Sequence, residues 1–103
     1  MIVKIHNTER GLLIAIADDE LIGKKFEKGK LQLDLTSDFY KGKHMKEKEI
    51  LELIEKAYIL NIVGENSVKF AIKNKLIKEE NILKVAKVPH AQCLFLKQNA
   101  DDE

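Results

Sequence analysis

The stretch VPHAQ, residues 88–92, carries the side chains with the clearest capacity for chemistry. Pro89 has a restricted φ and favours an extended conformation for the residue before it. In an extended chain, side chains two residues apart point to the same face, so His90 and Gln92 emerge together. This pair could bind a ligand or a partner, or His90 could act as a general base. The alternative is that both side chains hydrogen-bond nearby backbone at the start of a strand.

A second candidate site lies in the stretch NIVGENS, residues 61–67. Gly64 at the start of a helix would let another backbone or a phosphate approach closely, and free N–H groups there bind anions. The stretch is partly similar to the second half of a helix-hairpin-helix nucleic-acid motif. However, the second glycine of that motif is missing, and Glu65 would repel phosphate. The alternative is close helix packing, with Asn61 as the N-cap.

Gly23 and Lys24 belong to a shorter glycine–lysine segment, residues 22–26. It is too short for a phosphate loop, because the Walker pattern requires a second glycine at a fixed spacing and a Ser or Thr after the lysine. The segment 39–43 interleaves aromatic residues with lysines, as single-stranded nucleic-acid platforms do, although Phe39 also suits a core position below a loop. No dinucleotide fingerprint, paired-carboxylate constellation or nucleophile motif occurs in the sequence. We therefore assign no catalytic residue, and the sequence favours a protein that is not an enzyme.

The sequence also predicts no metal and no cofactor. His90 and Cys93 have half of a familiar ligand spacing, but residues three apart on a strand point to opposite faces. One cysteine and three scattered histidines fall short of a four-ligand set. An apolar face around Cys93 would raise the pKa of its thiol and leave it unreactive.

The length and composition indicate one folded domain. The 103 residues can bury a sizeable core, and a single cysteine excludes a disulfide within the chain. No apolar run approaches the ~18 residues of a membrane helix, and the N-terminus lacks a signal-peptide pattern. We expect a cytoplasmic protein without membrane contact, with a compact domain over residues 1–97 and a flexible acidic tail over 98–103.

The net charge of +1 conceals an uneven distribution. The last three residues, 101–103, supply three of the 17 acids. Between residues 69 and 97, seven lysines stand against only Glu79 and Glu80. A solvated lysine face is the ordinary explanation for such an excess. Even so, net charge does not exclude a nucleic-acid partner, and the place to look for one is beside His90.

Hydrophobic periodicity predicts an α+β domain with the element order βββααββ and a short extra turn after the second strand. Ala57 and Tyr58 continue the apolar stripe of the first helix. The expected fold is a mainly antiparallel sheet of about five strands, covered on one face by two helices. The predicted elements are a hairpin of strands at 2–6 and 12–17, a strand at 31–35, a helix at 46–58, an apolar connection at 58–64, a second helix to about 74, and strands at 82–88 and 91–97 separated by Pro89 and His90.

Several segments together resemble a small archaeal family, a conserved domain of unknown function. The resemblance implies a cytosolic archaeal protein with no known activity or cofactor, and a link with translation-related genes that favours RNA or ribosome association. It also implies that the segments 61–65 and 88–92 form one site. The family pattern has glycine where this chain has Lys75, and small residues at Ala86 and Lys87, so the chain departs from it at a helix end and at a turn. The segments that carry the resemblance, which runs from residue 2 to about 96, are Val3–His6, Leu21–Lys24, Phe39–Tyr40 with Gly42, Asn61–Glu65 and Val88–Gln92.

Three functional hypotheses follow, and the sequence leaves the oligomeric state open. The first is a small binding module for RNA, the ribosome or a translation factor, because phosphate contacts need only suitably placed positive charge. The second is a protein–protein adaptor or homodimer that uses a sheet edge or the apolar segment 58–63. The third is an enzyme that uses His90 with Gln92, Asn61 or Glu65, which requires those side chains to converge in a pocket.

Overall fold

Two parallel apolar strands form the centre of the fold. The structure, a computed structural model, describes residues 1–95. Its strands are β1 (Ile2–Thr8), β2 (Gly11–Ala17), β3 (Lys25–Lys28), β4 (Leu31–Asp34), β5 (Lys43–His44), β6 (Ala57–Val63), β7 (Leu83–Val85) and β8 (Val88–Leu94), and its helices are α1 (Glu47–Ile54) and α2 (Glu65–Lys73). Three short 3-10 helices span Asp19–Leu21, Asp38–Tyr40 and Glu79–Asn81.

Six of the strands form one sheet in the order β5-β1-β2-β6-β8-β7. β2 and β6 pair in parallel, and every other neighbouring pair is antiparallel. The remaining strands, β3 and β4, form a separate hairpin. The expected α+β class, the first hairpin and the mostly antiparallel sheet are confirmed, whereas the number and order of the strands differ from the prediction.

The largest error concerns residues 57–63, which form the central strand β6 rather than a helix end followed by a connection. The helix α1 ends at Ile54. Ala57 and Tyr58 therefore lie in β6, although in sequence they continue the apolar stripe of α1. A short apolar run has no periodicity that separates a strand from a buried helix, and pairing with β2 decides the outcome. Asn61 is therefore not an N-cap; it lies within β6, opposite Ala15 on one side and Gln92 on the other.

The predicted break at Pro89 and His90 is also wrong, because both residues lie inside β8. The chain turns instead at Ala86 and Lys87, which join Val85 to its partner Val88. Both turn residues have positive φ, 49° and 72°. This is the backbone of a type I′ turn, which matches the twist of the flanking strands.

The strand predicted at 31–35 forms, but it pairs with β3 outside the main sheet. Its leucines do not all face inward: Leu31 is 59% exposed, whereas Leu35 is fully buried. The short turn predicted after the second strand contains the 3-10 helix at Asp19–Leu21 and leads into β3.

The sheet has two differently covered faces. On the helix face, alternate residues of the central strands pack against both helices, in one core that includes Ile16, Ile62, Ile50 and Val68. On the opposite face, which we call the hairpin face, Ala17 and Val63 pack with Leu35 and with partly buried residues of the segments around the β3–β4 hairpin. None of the helices within residues 1–95 is long and apolar enough to cross a membrane.

A Schellman motif ends α2. Lys75 N–H donates to Ile72 C=O at 3.0 Å, and Leu76 N–H donates to Ala71 C=O at 2.8 Å. Lys75 has a φ of 59°, the left-handed conformation that glycine adopts without steric cost. The departure from the family pattern thus falls where the backbone favours glycine.

We expect Lys75→Gly to stabilise the protein, because it removes left-handed strain at the helix end. The gain should be about 0.5–1 kcal/mol, since glycine's larger loss of backbone entropy offsets part of the relief. Urea unfolding measures it. The matched control, Lys69→Gly, lies at an exposed position inside α2 and should cost about 1 kcal/mol; equal losses in both variants would contradict this assignment.

The turn before β8 also contains residues with positive φ, and substitutions there should change the melting temperature. Replacing Ala86 and Lys87 by Asn and Gly supplies the residues that a type I′ turn prefers, so the melting temperature should rise by a few degrees. Ala86→Val serves as the opposite control, because a β-branched residue disfavours positive φ, and it should lower the melting temperature.

Candidate functional site

The junction between β6 and α2 requires a glycine. Gly64 has a φ of 109° and is the residue before the first turn of α2. A Cβ atom at this position would overlap the carboxylate of Asp18. The glycine at position 64 is therefore explained by the close approach of the Asp18 side chain.

Asp18 follows β2 directly and caps α2, the helix that follows the neighbouring strand β6. The residue is buried, with 4% of its surface exposed. Its carboxylate accepts hydrogen bonds from the backbone N–H of Asn66 at 3.0 Å and from that of Ser67 at 2.8 Å. The Ser67 hydroxyl donates to the same carboxylate at 2.7 Å. These bonds satisfy two of the orphan N–H donors of the helix, and the negative charge lies at the positive end of its dipole.

This arrangement changes the interpretation of Gly64 and Glu65 as a phosphate site. Two of the N–H groups that would bind an external anion at the start of α2, those of Asn66 and Ser67, are already bonded to Asp18. The cavity beside them, of about 200 Å³, is lined by Glu65, Glu20 and Asp18 together with Lys87. Because most of these side chains are acidic, this end of α2 is a poor place for a phosphate.

The two family-specific segments lie side by side on neighbouring strands. Asn61 pairs with Gln92, and Val63 pairs with His90. Gly64 N–H also donates to Pro89 C=O at 2.8 Å. The structure thus brings the two segments together, as the resemblance implied; whether they form one functional site stays a prediction.

Pro89 is accommodated inside β8 because its missing N–H is not needed. Gly64 C=O, the acceptor opposite, is instead bonded by Val68 N–H at 2.9 Å in the first turn of α2. A proline within a sheet normally removes a ladder bond. Here no acceptor loses its donor, since the helix begins where the ladder ends.

His90, Gln92 and Asn61 share the hairpin face of the sheet. His90 is half-buried, and this burial lowers the pKa of its imidazole, because desolvation disfavours the charged ring. The ring makes no hydrogen bond to any group within residues 1–95. Gln92 is exposed and Asn61 half-buried, and Glu65 lies apart from them on the first turn of α2.

Cys93 points to the other face, as its spacing from His90 predicts. It packs with the helix-face core, and burial raises the pKa of its thiol. Within residues 1–95 no group of three or more His, Cys, Asp or Glu side chains has the arrangement of a metal site.

Gly23 and Lys24 lie at the base of the β3–β4 hairpin. Gly23 N–H donates to Leu35 C=O, and Leu35 N–H donates to Lys24 C=O, both at 2.8 Å. These bonds continue the hairpin ladder beyond the strand ends. The preceding residues, Leu21 and Ile22, belong to the hydrophobic cluster of the hairpin face. Gly23 and Lys24 therefore position the cover of that face.

All five segments of the family resemblance meet at the hairpin face. The His6 ring stacks on Phe39 with a centroid distance of 4.6 Å, and its Nε2 lies 2.9 Å from Phe39 O. Gly42 lies against the Val3 backbone, where a Cβ atom would not fit. Tyr40 packs into the hydrophobic cluster, and burial raises the pKa of its hydroxyl to about 12.

The lysine-rich half of the chain forms a groove on the opposite side. Lys69 and Lys73, one turn apart on α2, and Lys84 of β7 line a cavity of about 490 Å³. We call it the lysine groove; its other lining residues are Val68, Ile72, Glu79 and Ile82. It lies between α2 and the sheet edge on the helix face, whereas His90 points to the hairpin face. A nucleic-acid partner beside His90 stays a prediction.

Sequence reasoning missed Asp18, which the helix cap requires, and did not locate the lysine groove. Asp18 could be read only as an acidic residue in a local turn, because its partners are 48 and 49 positions away. The signal that could have found it is an acidic residue directly after an apolar strand. The excess of lysines was visible in sequence, but their meeting depends on how α2 packs beside β7.

The fold places this protein among small α+β domains with a mostly antiparallel sheet. A profile of the protein of unknown function family DUF424 matches residues 5–96, and the chain belongs to that family. The chain is also similar to an uncharacterized conserved protein from Methanopyrus kandleri, known from a crystal structure: TM-score 0.81, 25% identity, 95% of this chain and 93% of that chain covered. No curated protein matches the chain.

We expect Gly64→Ala to destabilise the protein by roughly 2–4 kcal/mol, because the added Cβ combines left-handed strain with loss of the Asp18 cap. Gly29→Ala is the matched control: Gly29 also has positive φ, 62°, but nothing lies near its missing Cβ. It should cost only about 1 kcal/mol. Equal losses in urea unfolding would contradict the role assigned to Asp18.

Proposed function

We propose that this protein is a small non-catalytic binding module for RNA, and that the lysine groove contacts the phosphates. The observation that carries the proposal is the convergence of Lys69, Lys73 and Lys84 from two elements on one groove. Lysines neutralise phosphates and release counterions, which provides sequence-independent affinity for nucleic acid.

The charges of the groove are largely available to a ligand. Lys73 Nζ lies 3.4 Å from the Glu47 carboxylate, in an exposed pair that contributes little to stability. Lys69 and Lys84 have no ion-pair partner among residues 1–95. Glu79 is the only acidic residue lining the groove within that part of the chain. The net field is positive, as an anionic polymer requires.

The apolar floor favours single-stranded over duplex RNA. Val68, Ile72 and Ile82 lie between the lysines. In a duplex the bases are stacked inside, whereas an unpaired nucleotide can place a base or ribose against apolar side chains. The association with the ribosome or a translation factor rests on the family resemblance and is part of the same proposal.

The geometry of His90 does not favour catalysis. A general base needs a group that orients it and a substrate pocket within reach. Among the described residues 1–95, His90 has no hydrogen-bond partner that orients it, and the described lining of the cavity beside Gly64, Glu65 and Pro89 does not include it. The hairpin-face motifs are better explained as packing that positions α2 and β8.

The test measures the binding of a short, fluorescently labelled oligouridylate by fluorescence anisotropy at a series of salt concentrations. The wild-type protein should lose affinity steeply with salt. The double variant Lys69→Gln with Lys84→Gln should bind about tenfold more weakly, with a log–log salt slope shallower by roughly 1.4, because about 0.7 is lost per phosphate contact on a single strand.

The matched control is Lys28→Gln with Lys30→Gln. These exposed lysines flank Gly29 in the β3–β4 turn, outside the lysine groove. The control removes the same amount of charge as the groove variant. Because its lysines lie outside the groove and salt screens distant charges, the affinity of the control for the oligouridylate should stay within about twofold of wild type. A flat salt dependence of the wild type, or an equal loss in both double variants, would overturn the proposal. Co-sedimentation with purified ribosomal subunits tests the translation partner.

A further inference from the structure

Part of the outer edge of β8 has no strand beside it. β7 pairs with β8 only from Val88 to His90, where Leu83 is the last partner. β8 continues to Leu94 and is held on its inner side by β6 as far as Ile59. Within residues 1–95, four residues of β8, Ala91–Leu94, therefore form an unpaired sheet edge.

The hydrogen bonds to β6 show which backbone groups of this edge point outward. Gly64 N–H donates to Pro89 C=O at 2.8 Å, and Phe95 N–H donates to Tyr58 C=O at 2.9 Å. In an antiparallel pair, residues bonded to the partner alternate with residues whose groups point away. The odd-numbered residues of β8 thus bond to β6.

The even-numbered residues present their N–H and C=O groups to the other side. Val88 and His90 pair there with β7. Gln92 and Leu94 have no strand opposite them within residues 1–95, and Leu94 is 48% exposed. Two donors and two acceptors, spaced as in a regular strand, therefore have no backbone partner in the part of the chain that the structure describes.

A second wall runs along this edge and makes it a groove. The connection after α2 lies beside it, and the two enclose a cavity of about 380 Å³. Leu76, Ile77 and Asn81 line one side, and Gln92 and Leu94 line the other. We call this the edge groove. Its charged residues, Lys78 and Glu80, are of opposite sign.

We propose that the edge groove binds an extended segment of a partner protein, which adds to β8 as a further strand of the sheet. The unpaired groups of Gln92 and Leu94 match the main chain of an extended peptide, and Leu76 and Leu94 can contact its alternate side chains. The balanced charge distinguishes this surface from the lysine groove, so the proposal does not depend on RNA binding.

A second copy of this chain fits the edge groove less well than a single segment does. Its own β8 edge has the Leu76–Asn81 connection beside it. Two such edges could pair only by bringing both connections into one narrow space. A lone extended segment has no such flank, and a phosphate polymer lacks the alternating N–H and C=O groups that the edge matches.

The experiment selects binders of the full chain from a displayed random-peptide library and resynthesises the tightest one. Binding should slow hydrogen exchange at the Gln92 and Leu94 amides and should change little with salt. Gln92→Pro removes an outward N–H without touching the β6 ladder, so the fold should persist while peptide affinity falls about tenfold. Gln92→Thr keeps the N–H and should bind within about twofold.

A second measurement covers the case in which the proline variant unfolds. Peptides N-methylated at alternate residues should lose binding in one register and keep it in the other, because only alternate N–H groups face β8. The double variant Lys69→Gln with Lys84→Gln should retain peptide binding, which separates this proposal from RNA binding.

Three results would overturn the proposal. The first is that no selected peptide protects the two amides. The second is that both amides are already protected in the peptide-free protein, because the chain itself or a second copy then covers the edge. The third is equal binding of both N-methylated series.

Discussion

Asp18 joins β2, β6 and α2, and Gly64, which packs against its carboxylate, extends the connection to β8. Asp18 N–H donates to Val63 C=O at 3.1 Å, which extends the parallel ladder of β2 and β6 by one step. Its side chain then caps α2, the helix that follows β6. Only glycine at position 64 leaves room for it, and the Gly64 N–H reaches Pro89 of β8. The Asp18 and Gly64 pair therefore marks where β6 ends and α2 begins, and it ties this junction to β8.

This constraint also determines where a ligand can bind. In many α/β folds the start of a helix after a parallel strand is an anion site, because its N–H groups are free. Here a side chain of the protein occupies it, so positive charge must come from side chains. α2 provides it along its length, since Lys69 and Lys73 are one turn apart and face Lys84. The cap thus fixes the origin of α2, and the helical repeat sets where its lysines lie.

Sequence reasoning was sound where local pattern and tertiary environment agree. The apolar run of β2, the hairpin that it forms with β1 and the start of α1 all follow from periodicity and turn chemistry. It failed at residues 57–63, where an apolar run continues the stripe of α1 but pairs with β2. The adjacency of the segments 61–65 and 88–92 was anticipated, whereas Asp18 was not, since its cap acts on residues distant in sequence. Nor can the sequence place Lys84 against α2, because that contact depends on the packing of the sheet edge.

The connection from α2 to β7 is the common wall of the two surfaces that we propose for binding. Glu79 and Ile82 line the lysine groove, while Glu80 and Asn81 line the edge groove. Neighbouring residues of one short 3-10 helix thus face two different grooves. The Schellman motif at Lys75 sets the direction in which this connection leaves α2, and Ile77, 8% exposed, anchors it in the helix-face core. A change that displaces this wall must alter both grooves, whereas a change of lysine charge or of the β8 edge alters only one.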